Sequence, residues 1–190
     1  LQANNAMDFD DLLMNAALLL DERPDVLQKY QERYQHILVD EFQDTNTTQY
    51  VLLQRLAAAH RHIFAVGDSD QSIYKWRGAD FRNIQRFQQV YQDAQVVLLE
   101  QNYRSTQTIL DAAKAVIRHN TQRVHKELFT ERQGGDLIVI GEAYNDLEEG
   151  DIVISAIQSL LLDGYSPGDI AVMYRTNAQS RVLEEAFVRA

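Results

Sequence analysis

Five short runs of β-favouring apolar residues punctuate this chain: Ile37-Leu38-Val39, Ile63-Phe64-Ala65-Val66, Val96-Val97-Leu98-Leu99, and the stretches 137–140 and 170–174. A short continuous apolar run is the pattern of a strand buried on both faces, as in a parallel sheet. Between the runs, apolar residues recur at helical spacing. Leu12, Leu13, Ala16, Leu19 and Leu20 make one face of a helix over 8–20, with Asp8, Asp10 and Asp11 in its first turn, where the helix dipole favours anions. Pro24 opens a second helix that runs to about residue 35. Thr45 to Thr48 offer hydroxyl caps for a third, ending near residue 59. Asp80 caps a fourth with Ile84, Phe87 and Tyr91 inward, and Ser105 a fifth through Ile117. Asp146 caps a sixth, which Gly164 and Pro167-Gly168 end, and a seventh starts at Ala178. Strands alternating with helices predict an α/β fold with a parallel sheet. The polar, basic stretch 120–135, broken by Gly134-Gly135, is the expected connection to a second βαβ region.

Composition narrows this picture in a few ways. Hydrophobic content of 45% over 190 residues supports a packed core, and the absence of cysteine excludes disulfides and thiolate metal sites. It suits a reducing cytoplasm, the expected location. No apolar run approaches the ~20 residues of a membrane span. The first residues carry neither a basic region nor an apolar run, so they do not read as a signal peptide. Both ends read as cuts inside a longer chain. Net charge is −10, which argues against wholesale coating of nucleic acid, but the charge is uneven. Residues 61–135 carry 11 basic against 8 acidic groups, the only net-positive third, and they hold the sole Trp. A local basic footprint in an acidic protein suits an enzyme that tracks a nucleic-acid strand.

The candidate chemistry sits at the carboxyl ends of three strands, where open α/β sheets place their ligands. At the first, Asp40 and Glu41 are adjacent; two neighbours on a strand point to opposite faces, so both serve one site only where the strand ends. There one carboxylate can hold Mg²⁺ through water while the other takes a proton from an attacking water. Alone, the pattern is better described as an acidic strand terminus opening a solvated turn. At the second, Gly67 to Asp80 leaves the strand; Gln71 can bond a terminal phosphate or an attacking water. Tyr74 and Trp76 alternate with Lys75 and Arg77 in a polar loop, where aromatic faces can stack unpaired bases and cations meet phosphates. At the third, Asn102-Tyr103-Arg104-Ser105 offers an arginine that can reach a transferring phosphoryl group, or simply pair with an aspartate.

Read together, Val39-Asp-Glu-Phe-Gln-Asp-Thr45, Val66-Gly-Asp-Ser-Asp-Gln-Ser-Ile-Tyr-Lys-Trp-Arg-Gly-Ala-Asp80 and Leu98-Leu-Glu-Gln-Asn-Tyr-Arg-Ser105 closely resemble, in that order, the second to fourth motifs of the UvrD/Rep/PcrA helicases of superfamily one. Met7-Asp-Phe-Asp-Asp-Leu-Leu13 and Tyr174-Arg-Thr-Asn-Ala-Gln-Ser-Arg-Val182 match further signature segments, with wording nearest the PcrA group. The resemblance spans essentially the whole chain. It implies P-loop NTPase, RecA-like parallel sheets: part of a first domain over 1–100 joined to part of a second over 101–190. It implies ATP and Mg²⁺ as ligands, single-stranded and partially duplex DNA as partner, and 3′→5′ translocation in repair or replication. Asp40 would hold Mg²⁺ and Glu41 would be the general base. Gln43 and Gln71 would sense the γ-phosphate or its water. Arg104 would be the finger from an inter-domain cleft, and Tyr103 would stack on adenine. Tyr74 and Trp76 would stack on single-stranded DNA, with Arg77 tying their loop back to the acidic segment.

One element of the family is missing from these residues. A phosphate-cradling loop needs Gly-Lys-[Ser/Thr], and none of the four lysines (Lys29, Lys75, Lys114, Lys126) follows a glycine. The family places that loop upstream, so the 190 residues alone are expected to bind ATP weakly and not to turn it over. Two other readings stay open: the helicase subunit of a helicase–nuclease of AddA or RecB type, and a non-catalytic DNA-binding piece.

Overall fold

The computed structural model describes residues 6–120 and 126–190, and it divides into two compact units, Leu1–Gly135 and Asp136–Ala190. Part of the stretch expected as the connection, residues 121–125, lies outside the described residues.

The first unit is built on one βαβ element. Strands β1 (Ile37–Val39) and β2 (Ile63–Ala65) pair in parallel, with Ile37 opposite Ile63, Leu38 opposite Phe64 and Val39 opposite Ala65. Parallel neighbours need a crossover, and helix α3 (Thr47–Ala57) supplies it and packs on β1. Helices α1 (Phe9–Glu22) and α2 (Pro24–Arg33) pack on α3 and on each other. Their starts follow local chemistry. Asp8 accepts from the Asp11 amide while Asp11 accepts from the Asp8 amide, a reciprocal cap, and Pro24 fills the first turn of α2.

The sheet is covered on one face only. Ile37, Val39, Ile63 and Ala65 are half-buried, whereas Leu38 and Phe64 alternate outward and are 74% and 63% exposed. Burial on both faces was the expectation from the unbroken apolar runs. No element packs against the Leu38–Phe64 face among the described residues, so the strands show the alternation of a one-sided sheet.

Beyond β2, helix α4 (Arg82–Val90) returns its aromatic stripe to a short 3₁₀ turn, Phe42–Asp44, that follows β1. Phe42 meets Tyr50 at 6.0 Å and Phe87 at 5.4 Å, both edge-to-face, and Phe87 meets Tyr91 at 4.7 Å. Such pairs each add about 0.5–1.5 kcal/mol beyond their burial. This cluster fixes the turn directly after Asp40 and Glu41. Helix α5 (Gln107–Ile117) completes the unit.

The run 96–99 does not form the expected third strand. Its backbone pairs with nothing among the described residues, and Val97 and Leu99 are largely exposed. Ladder pairing begins only at Gln101, in an isolated parallel bridge to Phe129. Several helix caps also differ from expectation. Asn46, Phe81, Thr106 and Asn145 hold the cap positions of α3, α4, α5 and the next helix, rather than a threonine hydroxyl of 45–48, Asp80, Ser105 or Asp146.

In the second unit, α6 (Asp146–Leu162) packs on α7 (Asn177–Arg189). Gly150 makes the close approach possible: a Cβ there would sit 3.0 Å from the Cβ of Ala186, which is itself 2% exposed. Glycine inside a helix costs ~1 kcal/mol against alanine, so its place here is explained by the crossing. The expected strands at 137–140 and 170–174 pair with nothing among the described residues.

Candidate active site at the ends of two parallel strands

The site begins where β1 stops. Asp40 turns its Oδ1 back to accept from the Glu41 amide at 2.9 Å. Glu41 then adopts φ 49°, ψ 44°, the left-handed region that a non-glycine residue enters at a cost. That single turn reverses the chain into Phe42–Asp44 and leaves Asp40 and Glu41 both exposed at one end of the sheet. Phe42 donates its amide to Val66, and Val66 donates to Val39, so the two strand ends are pinned side by side.

Gln43 is the hub. It is 1% exposed, and its amide group faces both strand ends. Nε2 donates to Glu41 Oε2 at 2.7 Å, and Oε1 accepts from the Asp68 amide at 2.9 Å. The Glu41 carboxylate is therefore oriented by a buried amide that is itself held by the loop after β2. Gly67 is required for this approach. A Cβ on it would lie 2.9 Å from Gln43 Oε1 and 3.2 Å from both Gln43 N and Phe42 Cβ. Gly67→Ala should destabilise the first unit by about 1–3 kcal/mol through overpacking, read as a lower urea midpoint.

Asp68 gathers the rest of the loop. Its Oδ1 accepts from the Asp70 amide, its Oδ2 accepts from Gln71 Nε2 at 2.9 Å, and Lys126 Nζ binds Oδ1. Burial alone would raise the Asp68 carboxyl, but the bonds from Lys126, Gln71 and the Asp70 amide outweigh it and hold the group below the usual carboxylate range. A lowered carboxyl stabilises the fold above its unfolded pKa, and that support is lost as pH falls through the lower folded value. Asp44 goes the other way. Burial, then the Glu41 charge, raises it, and its Oδ1 is buried with no partner among the described residues. A pocket of about 440 Å³ opens beside these groups, lined by Val39, Asp40, Glu41, Asp44, Gln49 and Leu52 among others.

Whether Asp40 could hold Mg²⁺ can be judged from its surroundings. Mg²⁺ keeps several waters and takes one or two carboxylates plus phosphate oxygens. Asp40 is exposed on the pocket rim, with Oδ2 engaged by no donor among the described residues. No cluster of three or more metal-ligating side chains exists among the described residues, and a water-rich Mg²⁺ needs none. The donor set fits.

The aromatic loop stands next to this centre and is tied to it. Trp76 is 72% exposed, and its ring lies 6.4 Å from that of Tyr74. The guanidinium of Arg77 lies over both, 5.3 Å from the Tyr74 centroid and 4.7 Å from that of Trp76. Among the described residues, Arg77 is placed over the aromatic pair, and no contact from it to 40–44 is seen. Other residues make that link. Ser72 Oγ donates to Gln43 O, the Asp80 amide donates to Thr45 O, and Ala79 bridges Asn46. Asn83, with no exposed surface, donates from Nδ2 to Thr45 O and Oγ1.

The ends of β1 and β2 are therefore brought together, with Asp40, Glu41, Gln43 and Gln71 around one hydrogen-bonded chain. Tyr103 and Arg104 are not joined to it: Tyr103 is exposed and donates to Gln101, and no hydrogen bond or ion pair connects either residue to 40–43 among the described residues. Lys126 and Asn83 were not singled out from the sequence. Only Asn83 lay near a flagged motif, three residues past Asp80.

A parallel βαβ unit that ends in adjacent carboxylates and is wired to a loop of exposed aromatics and cations has the layout of a helicase core. Family comparison agrees: residues 1–92 match the model of the UvrD/REP helicase N-terminal domain, and residues 97–190 that of the UvrD-like helicase C-terminal domain. The chain belongs to the UvrD/Rep helicase family. It is 48% identical over all 190 residues to the ATP-dependent DNA helicases PcrA of Staphylococcus epidermidis and Staphylococcus aureus. It spans 26% of the length of those relatives. No described helix is long and apolar enough to cross a membrane.

Proposed function

We propose that the chain is the central part of an ATP-dependent DNA helicase that moves 3′→5′ along single strands in the cytoplasm, in repair or replication. In this reading it carries the tail of one RecA-like domain, to about residue 100, and the start of a second. The observation that carries it is the continuous chain from the Glu41 carboxylate through Gln43 to the Asp68 loop, with the Trp76 loop fastened to the same segment.

In this reading the residues take the following roles. Glu41 takes the proton from a water attacking the terminal phosphate of ATP; Gln43 keeps its carboxylate aimed. Asp40 would hold Mg²⁺, which when bound supplies positive charge to the phosphates. Gln71 answers to the presence of the terminal phosphate, its amide bonded to Asp68 Oδ2 in the loop that also holds Gln43. Arg104 stabilises the developing charge on the transferring phosphoryl group, and Tyr103 stacks on adenine; both are exposed and available. Tyr74 and Trp76, with Arg77 over them, stack on unpaired bases of single-stranded or partially duplex DNA.

Trp76 offers the direct test. Loss of one stacking partner costs ~1–3 kcal/mol per base, so Trp76→Ala in the full-length protein should weaken oligo-dT binding roughly 10- to 100-fold. ATP affinity should stay within about twofold. Fluorescence anisotropy at fixed salt reads the first and equilibrium nucleotide binding the second. Unchanged DNA affinity would remove the strand-stacking role.

A further inference from the structure

We propose that Lys126 is a positioning residue for the general base, acting through Asp68 and Gln43. The inference rests on the nucleotide-site reading above and adds a residue to it.

Lys126 comes from 58 positions beyond Asp68 in the chain. Its ammonium binds Asp68 Oδ1 and lies 3.5 Å from Asp70 Oδ2. The three side chains are mostly shielded: Lys126 is 14%, Asp68 24% and Asp70 9% exposed. An ion pair in such surroundings is screened far less than a surface one. It fixes the Asp68 loop, and the Asp68 amide is the donor that holds Gln43 Oε1. Gln43 can present Nε2 to Glu41 only while Oε1 is held, because the two ends of a planar amide turn together. Removing the ammonium takes from Asp68 the cation that holds its carboxylate, and with it a fixed point of the loop that anchors Gln43.

The same lysine sits at the head of a strap that reaches the Tyr103–Arg104 segment. The Glu127 amide donates to Glu100 Oε1 at 2.7 Å, and the Phe129 amide to Glu100 O. Asn102 donates to Phe129 O, and Arg132 Nη1 to Arg104 O at 2.7 Å. Residues 126–132 therefore touch the loop that aims Glu41 at one end and the backbone of Arg104 at the other.

The test uses the full-length protein and steady-state DNA-stimulated ATP hydrolysis. Lys126→Ala should lower kcat roughly 10- to 30-fold while KM for ATP stays within about threefold, and Lys126→Arg should recover kcat to within about threefold. In a Gln43→Ala background the Lys126→Ala change should cost less than about twofold further, because both act on one carboxylate. The paired variant Lys126→Met with Asp68→Asn leaves no unpaired charge from that contact; it should keep the parent Tm and still lose kcat. A Lys126→Ala kcat within twofold of the parent, full additivity with Gln43→Ala, or recovery of kcat in the paired variant would each overturn the inference. Glu41→Gln serves as reference. If it abolishes turnover while Lys126→Ala does not, the nucleotide-site reading stands and the Lys126 role alone falls; if it leaves turnover intact, both fall.

Discussion

Glu41→Gln in the full-length protein should lower the kcat of DNA-stimulated ATP hydrolysis by about 10²–10⁴-fold, the range a positioned general base contributes. Glutamine keeps the size of the side chain but accepts no proton. It can still bond Gln43 through its carbonyl oxygen, so the buried amide stays in place and the turn after β1 is kept. Single-stranded DNA affinity should therefore stay within about threefold of the parent, since the Trp76 loop is fastened to Gln43, Thr45 and Asn46 and not to the Glu41 carboxylate. Rapid-quench ATPase kinetics and DNA anisotropy on the same preparation separate the two effects. Turnover near the parent level would remove Glu41 from the chemistry.

The second large effect falls on stability. Asn83→Leu should destabilise the first unit by about 2–4 kcal/mol, the cost of losing its buried hydrogen bonds to Thr45 and the one from the Arg86 guanidinium. Asn83 has no exposed surface, and its Nδ2 serves Thr45 O at 2.9 Å and Thr45 Oγ1 at 3.2 Å, while its Oδ1 accepts from Arg86 Nη1 at 3.0 Å. Leucine fills similar space but satisfies none of these. Thr45 O keeps the Asp80 amide, and Arg86 keeps Asp80 at 3.1 Å, so the unit should still fold. The urea midpoint measures the loss. Because Asn83 fastens the helix after the aromatic loop to the segment after Glu41, the same variant should also blunt DNA stimulation of ATPase more than it lowers the DNA-free rate. Equal loss of both rates would make Asn83 a purely structural residue.

Helices were legible in the sequence because their signals are local. The spacing of Leu12, Leu13, Ala16, Leu19 and Leu20, Pro24 at a first turn, and the Asp8–Asp11 pair each act within a few residues. Their ends were less so where two cap formers compete: Asn46, with Gln49 three residues on, forms a reciprocal cap that a nearby threonine does not match. Strands were legible only as apolar runs. Whether a run becomes a strand depends on a partner far along the chain, and residues 96–99, 137–140 and 170–174 have none among the described residues. The candidate site divides the same way. Asp40, Glu41, Gln43 and Gln71 stand in contiguous motifs and could be singled out from the sequence, and the structure brings them together. Lys126 could not be, because an ion pair between residues 58 apart leaves no local signature.

Position 41 carries one more consequence. Its left-handed backbone is a conformation that glycine occupies freely and glutamate does not. A sequence selected for stability alone would place glycine there and gain stability by doing so. Under the proposed function, stability favours glycine at this position while the chemistry asks for a carboxylate. Consensus or stability-driven engineering of this chain should leave position 41 untouched, since the substitution that most relaxes the turn also deletes the carboxylate proposed as the general base.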